Sequence, residues 1–185
     1  MMMDSKTESE IIARVLSGER QTYALLVEEY KGPIFNLAYR MTGSHDDADD
    51  LTQETFIRAY QKLYRFDQSK KFFTWLYTIG INLIRNHLKK NVRDVSHQAS
   101  SGPAIEQQQG NGRVEGDELS DDRMIRLEQV IRKLPVDLRE AIILKFVQDL
   151  TFEEVAKVTG DSVSAVKMRI YRGLEKMKQM MEDTK

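Results

Sequence analysis

The chain has 185 residues, 41% of them hydrophobic and 31% charged, with a formal net charge of −1. That length suits one domain or two small ones with buried cores, and the composition fits a globular protein with a wet surface. The absence of cysteine excludes disulfides, thiol catalysis and cysteine-ligated zinc or iron–sulfur centres. No apolar run approaches a signal-peptide core or membrane span, so a cytosolic location is expected. With three prolines and few alternating β-branched runs, the expected class is all-α, as two small helical domains joined by a linker.

The first helical stretch, IIARVLSGERQTYALLVEEYKGPIFNLAYRMTG, contains two or three short amphipathic helices punctuated by Ser17-Gly18, Gly32-Pro33 and Gly43. It reads as packing scaffold. In SHDDADDLTQETFIRAYQKLYRF, Ser44 is positioned to cap a helix whose first turns carry Asp46, Asp47, Asp49 and Asp50. Ala48, Leu51, Thr55, Phe56, Ala59 and Leu63 share one face, which predicts core. Asp50, Gln53, Glu54, Arg58 and Gln61, with Ile57 among them, share the other. That second face fits either a solvated surface or a docking surface for a basic helical partner.

The segment from Tyr64 to Arg93 carries seven basic residues against the single acid Asp67. Lys70 and Lys71 fall in a predicted loop. In KFFTWLYTIGINLIRNHLKKN, Phe72, Leu76, Ile79 and Leu83 form one apolar stripe, and Phe73, Tyr77, Ile81, Ile84 and Leu88 form a second beside it. Two stripes predict a helix deep in a bundle. The narrow remaining strip holds Trp75, Thr78, Asn82, Arg85, Asn86 and Lys89, followed by Lys90. An aromatic face among amides and cations suits single-stranded nucleic acid: stacking, base-edge hydrogen bonds and phosphate neutralisation. Packing of Trp75 against a neighbour is the plainer alternative.

From Asp94 to Asp122 the balance reverses, with seven acids against Arg113 alone. This Ser-, Gln- and Gly-rich run has no apolar period and predicts a flexible acidic linker. The predicted organisation is therefore a domain over 10–93, a linker over 94–122 and a second domain over 123–183. The second domain predicts four helices. The first ends at Lys133, before Leu134-Pro135, and the second spans Val136 to Val147. The third opens at Thr151 with a Thr-x-x-Glu capping box. Gly160 then supplies a left-handed stop, and Ser162 caps the fourth. In that last helix Val163, Val166, Ile170, Leu174 and Met177 form the predicted buried stripe. Ser164, Ala165, Met168 and Arg172 face outward, flanked by Lys167, Arg169 and Tyr171. Capped entry, a glycine turn and cations gathered on the second helix spell a helix-turn-helix, whose second helix enters the major groove.

Three stretches, DDADDLTQETFIRAYQKLYRF, FFTWLYTIGINLIRNHLKK and LPVDLREAIILKFVQDLTFEEVAKVTGDSVSAVKMRIYRGLEKM, together resemble the bacterial RNA polymerase sigma factors of the extracytoplasmic-function type (group four of the sigma-70 family). The likeness runs from about Glu10 to Met181. It implies that Asp50, Leu51, Gln53, Glu54, Phe56, Ile57 and Arg58 dock on the β′ clamp helices of core polymerase. It implies that Lys70, Lys71, Phe72, Thr74, Trp75, Thr78, Asn82, Arg85, Asn86, Lys89 and Lys90 open the minus-ten element. Ser162, Ser164, Ala165, Lys167, Met168, Arg169, Tyr171 and Arg172 would read the minus-thirty-five duplex. Ala165 and Met168 stand where the family often has Thr and Ser, which shifts expected base readout to Ser164, Lys167, Arg169 and Arg172. Asn86 and Lys89 replace an acid–arginine pattern common in that helix.

Further implied partners are the β flap of polymerase, promoter DNA and an anti-sigma factor, which in some members would hold the protein at the inner membrane face. No cofactor is expected. His45, His87 and His97 lack metal spacing and no phosphate-binding glycine loop follows a strand, so no enzymatic activity is expected either. A stand-alone helix-turn-helix regulator is the rival reading, and it would bind DNA as a dimer without polymerase.

Overall fold

The computed structural model describes residues 3–98 and 118–182, with side chains described over 3–93 and 124–182. Among the described residues there is no strand, and eight α-helices follow in order: α1 Ser5–Leu16, α2 Tyr23–Thr42, α3 His45–Lys62, α4 Phe72–Gln98, α5 Glu118–Lys133, α6 Val136–Ile142, α7 Phe152–Thr159 and α8 Val163–Glu182. The all-α expectation holds. The expected linker over 94–122 is trimmed at both ends, because α4 and α5 run into it; its centre, 99–117, lies outside the described residues.

Asp4 starts α1 by accepting the Lys6 and Thr7 backbone N–H groups at 3.0 Å each, which satisfies two orphan donors. The Thr7 amide and hydroxyl hold its carboxyl below the ordinary carboxylate range. α2 continues through Gly32-Pro33, contrary to the predicted break. Pro33 forfeits one ladder hydrogen bond and crowds the preceding turn, a cost of about 3 kcal/mol. Fully buried Leu26, Tyr30, Ile34, Leu37, Ala38 and Met41 on the same helix outweigh it, at roughly 1.5–3 kcal/mol for each large apolar side chain. α4 carries the two expected stripes: Phe72, Leu76, Tyr77, Ile81, Leu83 and Ile84 are buried, while Phe73, Ile79 and Leu88 are half-buried. It packs against α2 and α3.

Beneath α1 lies a carboxylate the sequence did not flag. Glu8 is buried and accepts the Tyr30 hydroxyl. Burial pushes its carboxyl above the ordinary range, with the Tyr30 hydrogen bond opposing and Glu29 and Asp4 adding to the rise. The folded state therefore holds this proton more tightly than the unfolded chain. Its stabilising contribution is complete below the unfolded value near pH 4.5 and is lost as pH rises through the higher native value. Glu8→Gln is expected to raise stability at neutral pH and flatten the dependence above about pH 4.5. Tyr30→Phe should lower stability by about 1–3 kcal/mol. Urea denaturation across that range checks both.

The second domain builds four helices as expected, but the segment after α6 is a π turn, Ile143–Val147, rather than a straight continuation. It buries Ile143 and Leu144 and leaves Phe146 and Val147 exposed. Asp149 follows in the left-handed region (φ 53°), which a short polar side chain tolerates. In α8, Val166, Ile170 and Met177 are buried as predicted, but Leu174 is exposed. Gly173 takes the contact position instead. A Cβ there would meet Ile142 Cγ1 at 2.9 Å, so α8 approaches α6 only because that residue has no side chain.

The two domains pack on one another. α4 lies against α7, and α2 against α5 and α6. Arg139, half-buried, donates to Met41 O at 2.6 Å and Leu134 O at 3.0 Å, and also to Arg132 O. Burial, then the nearby Arg132 charge, lowers its pKa. Arg40 pairs with Glu128 at 2.8 Å, and the Arg132 guanidinium sits 5.0 Å over the Tyr39 ring.

Candidate nucleic-acid interface

α3 presents its acidic face because the Ser44 hydroxyl accepts the Asp47 N–H at 3.2 Å and so starts the helix where the sequence placed the cap. Ala48, Leu51, Thr52, Thr55, Phe56 and Ala59 then turn inward. Asp50, Gln53, Ile57 and Arg58 are exposed, and Glu54 is half-buried in an ion pair with Arg58 at 2.5 Å. Leu51 and Phe56 were expected among the docking residues. Both are buried at the helix–helix seam and present little surface. Ile57, half exposed, is the apolar group the surface offers.

The loop before α4 is an Asx turn. Asp67 accepts the Ser69 N–H at 3.0 Å and the Ser69 hydroxyl at 2.7 Å; the Ser69 hydroxyl and amide hold its carboxyl below the ordinary range. The turn presents exposed Lys70, 3.5 Å from Asp67, and exposed Lys71. Phe72 does not join them. It is buried among Tyr30, Phe66 and Trp75, with ring centroids at 5.7, 5.5 and 5.7 Å. In this fold its ring serves the core. Trp75 is half-buried against Phe66 (5.2 Å) and Phe72, so it packs against neighbouring rings while keeping part of its surface accessible. Thr74 and Thr78 are half-buried, the latter donating back to Thr74 O at 2.8 Å. Asn82, Asn86, Lys89 and Lys90 are exposed.

Arg85 is the exception on this strip. It makes a two-pronged pair with Glu140 of α6 (Nε to Oε2 2.8 Å, Nη2 to Oε1 2.6 Å) and a third bond to Thr159 O at 3.3 Å. Lys71 likewise reaches Glu154 of α7 at 2.7 Å. Sequence reasoning missed Glu140 and Glu154 as partners. Glu140 had a signal: it is the one acid in an apolar run, three and four residues before Ile143 and Leu144, a place where a carboxylate needs a buried partner.

The helix-turn-helix is built as its sequence requires. Thr151 Oγ1 accepts the Glu154 N–H at 3.2 Å and Glu154 Oε2 accepts the Thr151 N–H at 2.9 Å. Gly160 ends α7 in the left-handed region (φ 75°), its N–H donating to Ala156 O at 3.0 Å. Ser162 Oγ accepts the Ala165 N–H at 3.2 Å and opens α8. Ser162, Ser164, Lys167, Met168, Tyr171 and Arg172 are exposed, and Ala165 is half-buried. Arg169 is held back. Its guanidinium makes a two-pronged pair with Asp161, one bond at 3.0 Å, and so braces the turn to the helix. Burial works to raise the Asp161 carboxyl, but Arg169 outweighs it and holds the group low. Lys167 and Lys145 flank the Phe152 ring at 5.4 and 5.3 Å.

Among the described residues no cluster of side chains has the makings of a metal site, and no helix is long and apolar enough to cross a membrane.

Family models match both halves of the chain. Sigma-70 region 2 matches residues 26–94 and Sigma-70, region 4 matches residues 124–177. The ECF RNA polymerase sigma factor SigW of Bacillus subtilis is 34% identical over 178 residues, covering 93% of this chain and 95% of its own. The RNA polymerase sigma-H factor of Pseudomonas aeruginosa is 31% identical, covering 98% and 97%. Among solved structures, CnrH in complex with the cytosolic domain of CnrY superposes with a TM-score of 0.70 at 26% identity, covering 98% of this chain and 100% of that one. The sigma factor RpoE of Bartonella quintana, solved with the anti-sigma factor NepR, shares the fold at a TM-score of 0.69. The chain belongs to the ECF sigma factors of the sigma-70 family.

Proposed function

We propose that this protein is an alternative sigma factor which docks on core RNA polymerase through α3, opens the minus-ten element with α4 and its preceding loop, and reads the minus-thirty-five duplex with α8. One observation carries the reading: a single chain presents two polar, cation-bearing surfaces of different kinds. The half-buried Trp75 beside exposed Asn82, Asn86, Lys89 and Lys90 suits unpaired bases. The capped α8, with Ser164, Lys167 and Arg172 at its exposed N-terminal half, suits a major groove. Each surface is modest alone. Held together on polymerase, each raises the effective concentration of the other. Polymerase contact by the exposed α3 acids and by the β flap at the C-terminal domain completes the assembly. The working location is the cytoplasm, control by an anti-sigma factor is expected, and the protein acts by binding rather than by catalysis.

Run-off transcription with core polymerase over a promoter library tests this. A transcript from a subset of promoters is expected, and none from any member would overturn the reading. Tight, specific binding of promoter duplex by the free chain in physiological salt would favour the stand-alone regulator instead. Within the holoenzyme, Lys167→Ala and Arg172→Ala should each weaken promoter binding. A lost phosphate contact would lower the salt slope by about one, whereas a lost base contact would relax specificity at one position. Filter binding at several salt concentrations separates the two.

A further inference from the structure

α4 begins without a cap from its own neighbourhood. Lys71 precedes its first residue, with its carbonyl accepting the Trp75 N–H at 3.5 Å. A lysine side chain has no acceptor for the unpaired amides of a first turn. Nor does any acid stand in that turn to meet the positive end of a 27-residue helix. Elsewhere the chain caps locally, with Asp4 for α1, Ser44 for α3, Thr151 for α7 and Ser162 for α8.

At α4 the acceptor comes from α1. Glu8 is 4% exposed and accepts the Tyr30 hydroxyl. Burial raises its carboxyl, while the Tyr30 hydroxyl and the facing Phe72 backbone N–H draw it back down. The Tyr30 ring lies 5.7 Å from that of Phe72, and Trp75 packs in turn on Phe72 and Phe66. Buried Ile11, Ile12 and Val15 anchor α1 behind the carboxylate.

We propose that Glu8 is a positioning residue for the minus-ten surface, holding the first turn of α4 from α1 and so fixing Lys70, Lys71 and Trp75 in their binding arrangement. The inference rests on the reading of that loop and Trp75 as minus-ten contacts. Buried as it is, Glu8 offers DNA no surface and acts through Tyr30 and Phe72. A negative charge is favourable at a helix N-terminus, and with little water to compete its hydrogen bonds are stronger than exposed ones. Without it the first-turn amides must turn to water and the turn frays. A surface correctly arranged in only a fraction of molecules binds its ligand weaker by that fraction. α1 lies outside residues 26–94, the span matched by the region 2 family model, so this role falls to an element beyond that core.

Trp75 is the sole tryptophan, so its emission reports on this junction with no DNA present. In the full free chain, Glu8→Ala should shift that emission to the red and increase its quenching by acrylamide. Glu8→Leu with Tyr30→Phe should do the same. That pair replaces both partners of the buried hydrogen bond by apolar groups of similar shape, which folding tolerates, and it serves as the test if Glu8→Ala does not fold. Glu8→Gln keeps an acceptor oxygen and should resemble the wild type. The holoenzyme is then assayed on fork DNA with an unpaired minus-ten strand, taken from a promoter active in run-off transcription. Both variants lacking the acceptor should bind it about fivefold weaker, with Glu8→Gln restoring affinity and core-polymerase binding unchanged in all three. Thermal melts followed by circular dichroism establish that each variant is folded. A folded variant lacking the acceptor, with Trp75 emission and quenching like the wild type, overturns the inference. So do equal losses in Glu8→Gln, which would leave Glu8 a packing role only. Altered Trp75 emission with unaltered fork binding leaves the positioning intact and strikes instead at the reading of α4 beneath it.

Discussion

Phe72→Ala is expected to destabilise the N-terminal domain by about 3–5 kcal/mol and to abolish run-off transcription at 37 °C. Phe72 is 1% exposed and closes an aromatic cluster with Tyr30, Phe66 and Trp75. Truncation removes most of its buried area and leaves a cavity where α2, α4 and the preceding loop meet. Total stabilities of about 5–15 kcal/mol leave little margin for such a loss. The loss would also be functional, because the same ring supports one side of Trp75 and the first turn of α4. Phe72→Leu keeps apolar bulk and should cost less than about 1.5 kcal/mol, with most transcription retained. Urea denaturation of both variants, beside run-off assays, checks this. If Phe72→Leu melted like the wild type but lost open-complex formation, the ring would be a DNA contact after all and its core role would be secondary.

The second large effect is expected at α3. Asp50→Lys combined with Gln53→Lys places two cations on an exposed face whose proposed partner is basic. Like charges brought together at an interface cost several kcal/mol, so affinity for core polymerase should fall more than about 100-fold. Folding stability should change by no more than about 0.5 kcal/mol, because neither side chain is buried. Fluorescence anisotropy of the labelled chain against core polymerase, at low and physiological salt, measures the loss. Unchanged affinity would relocate the docking surface. The contrast with Phe72→Ala is diagnostic: one variant unfolds the domain, and the other leaves it intact and unable to assemble.

The candidate sites were legible to the extent that they depend on local rules. Ser44, Thr151 and Ser162 cap the helices their positions predicted, and Gly160 ends α7, because a cap needs only three or four neighbouring residues. The two stripes of α4 follow from a 3.6-residue period in the same way. Where the sequence misled, a distant residue had changed the outcome. Pro33 sits inside α2 because buried side chains on both sides of it outweigh its local cost. Arg169 looked like a groove-reading cation, yet Asp161, eight residues earlier, holds it. Leu174 fits the buried stripe by period, but α6 approaches at Gly173 and leaves Leu174 outside.

By itself the sequence determined the class, the two helical domains, the caps, and which faces are apolar, acidic or basic, because these depend on composition and on spacing along a single helix. It also carried enough family-specific pattern to identify a sigma factor. Only the tertiary structure decided which members of each face are free. Leu51, Phe56 and Phe72 go to the core, and Arg85 and Lys71 go to carboxylates 55 and 83 residues away in the chain. Periodicity assigns a residue to a side of its own helix, whereas the group opposite that side is set by how two domains close, and no local pattern records that pairing.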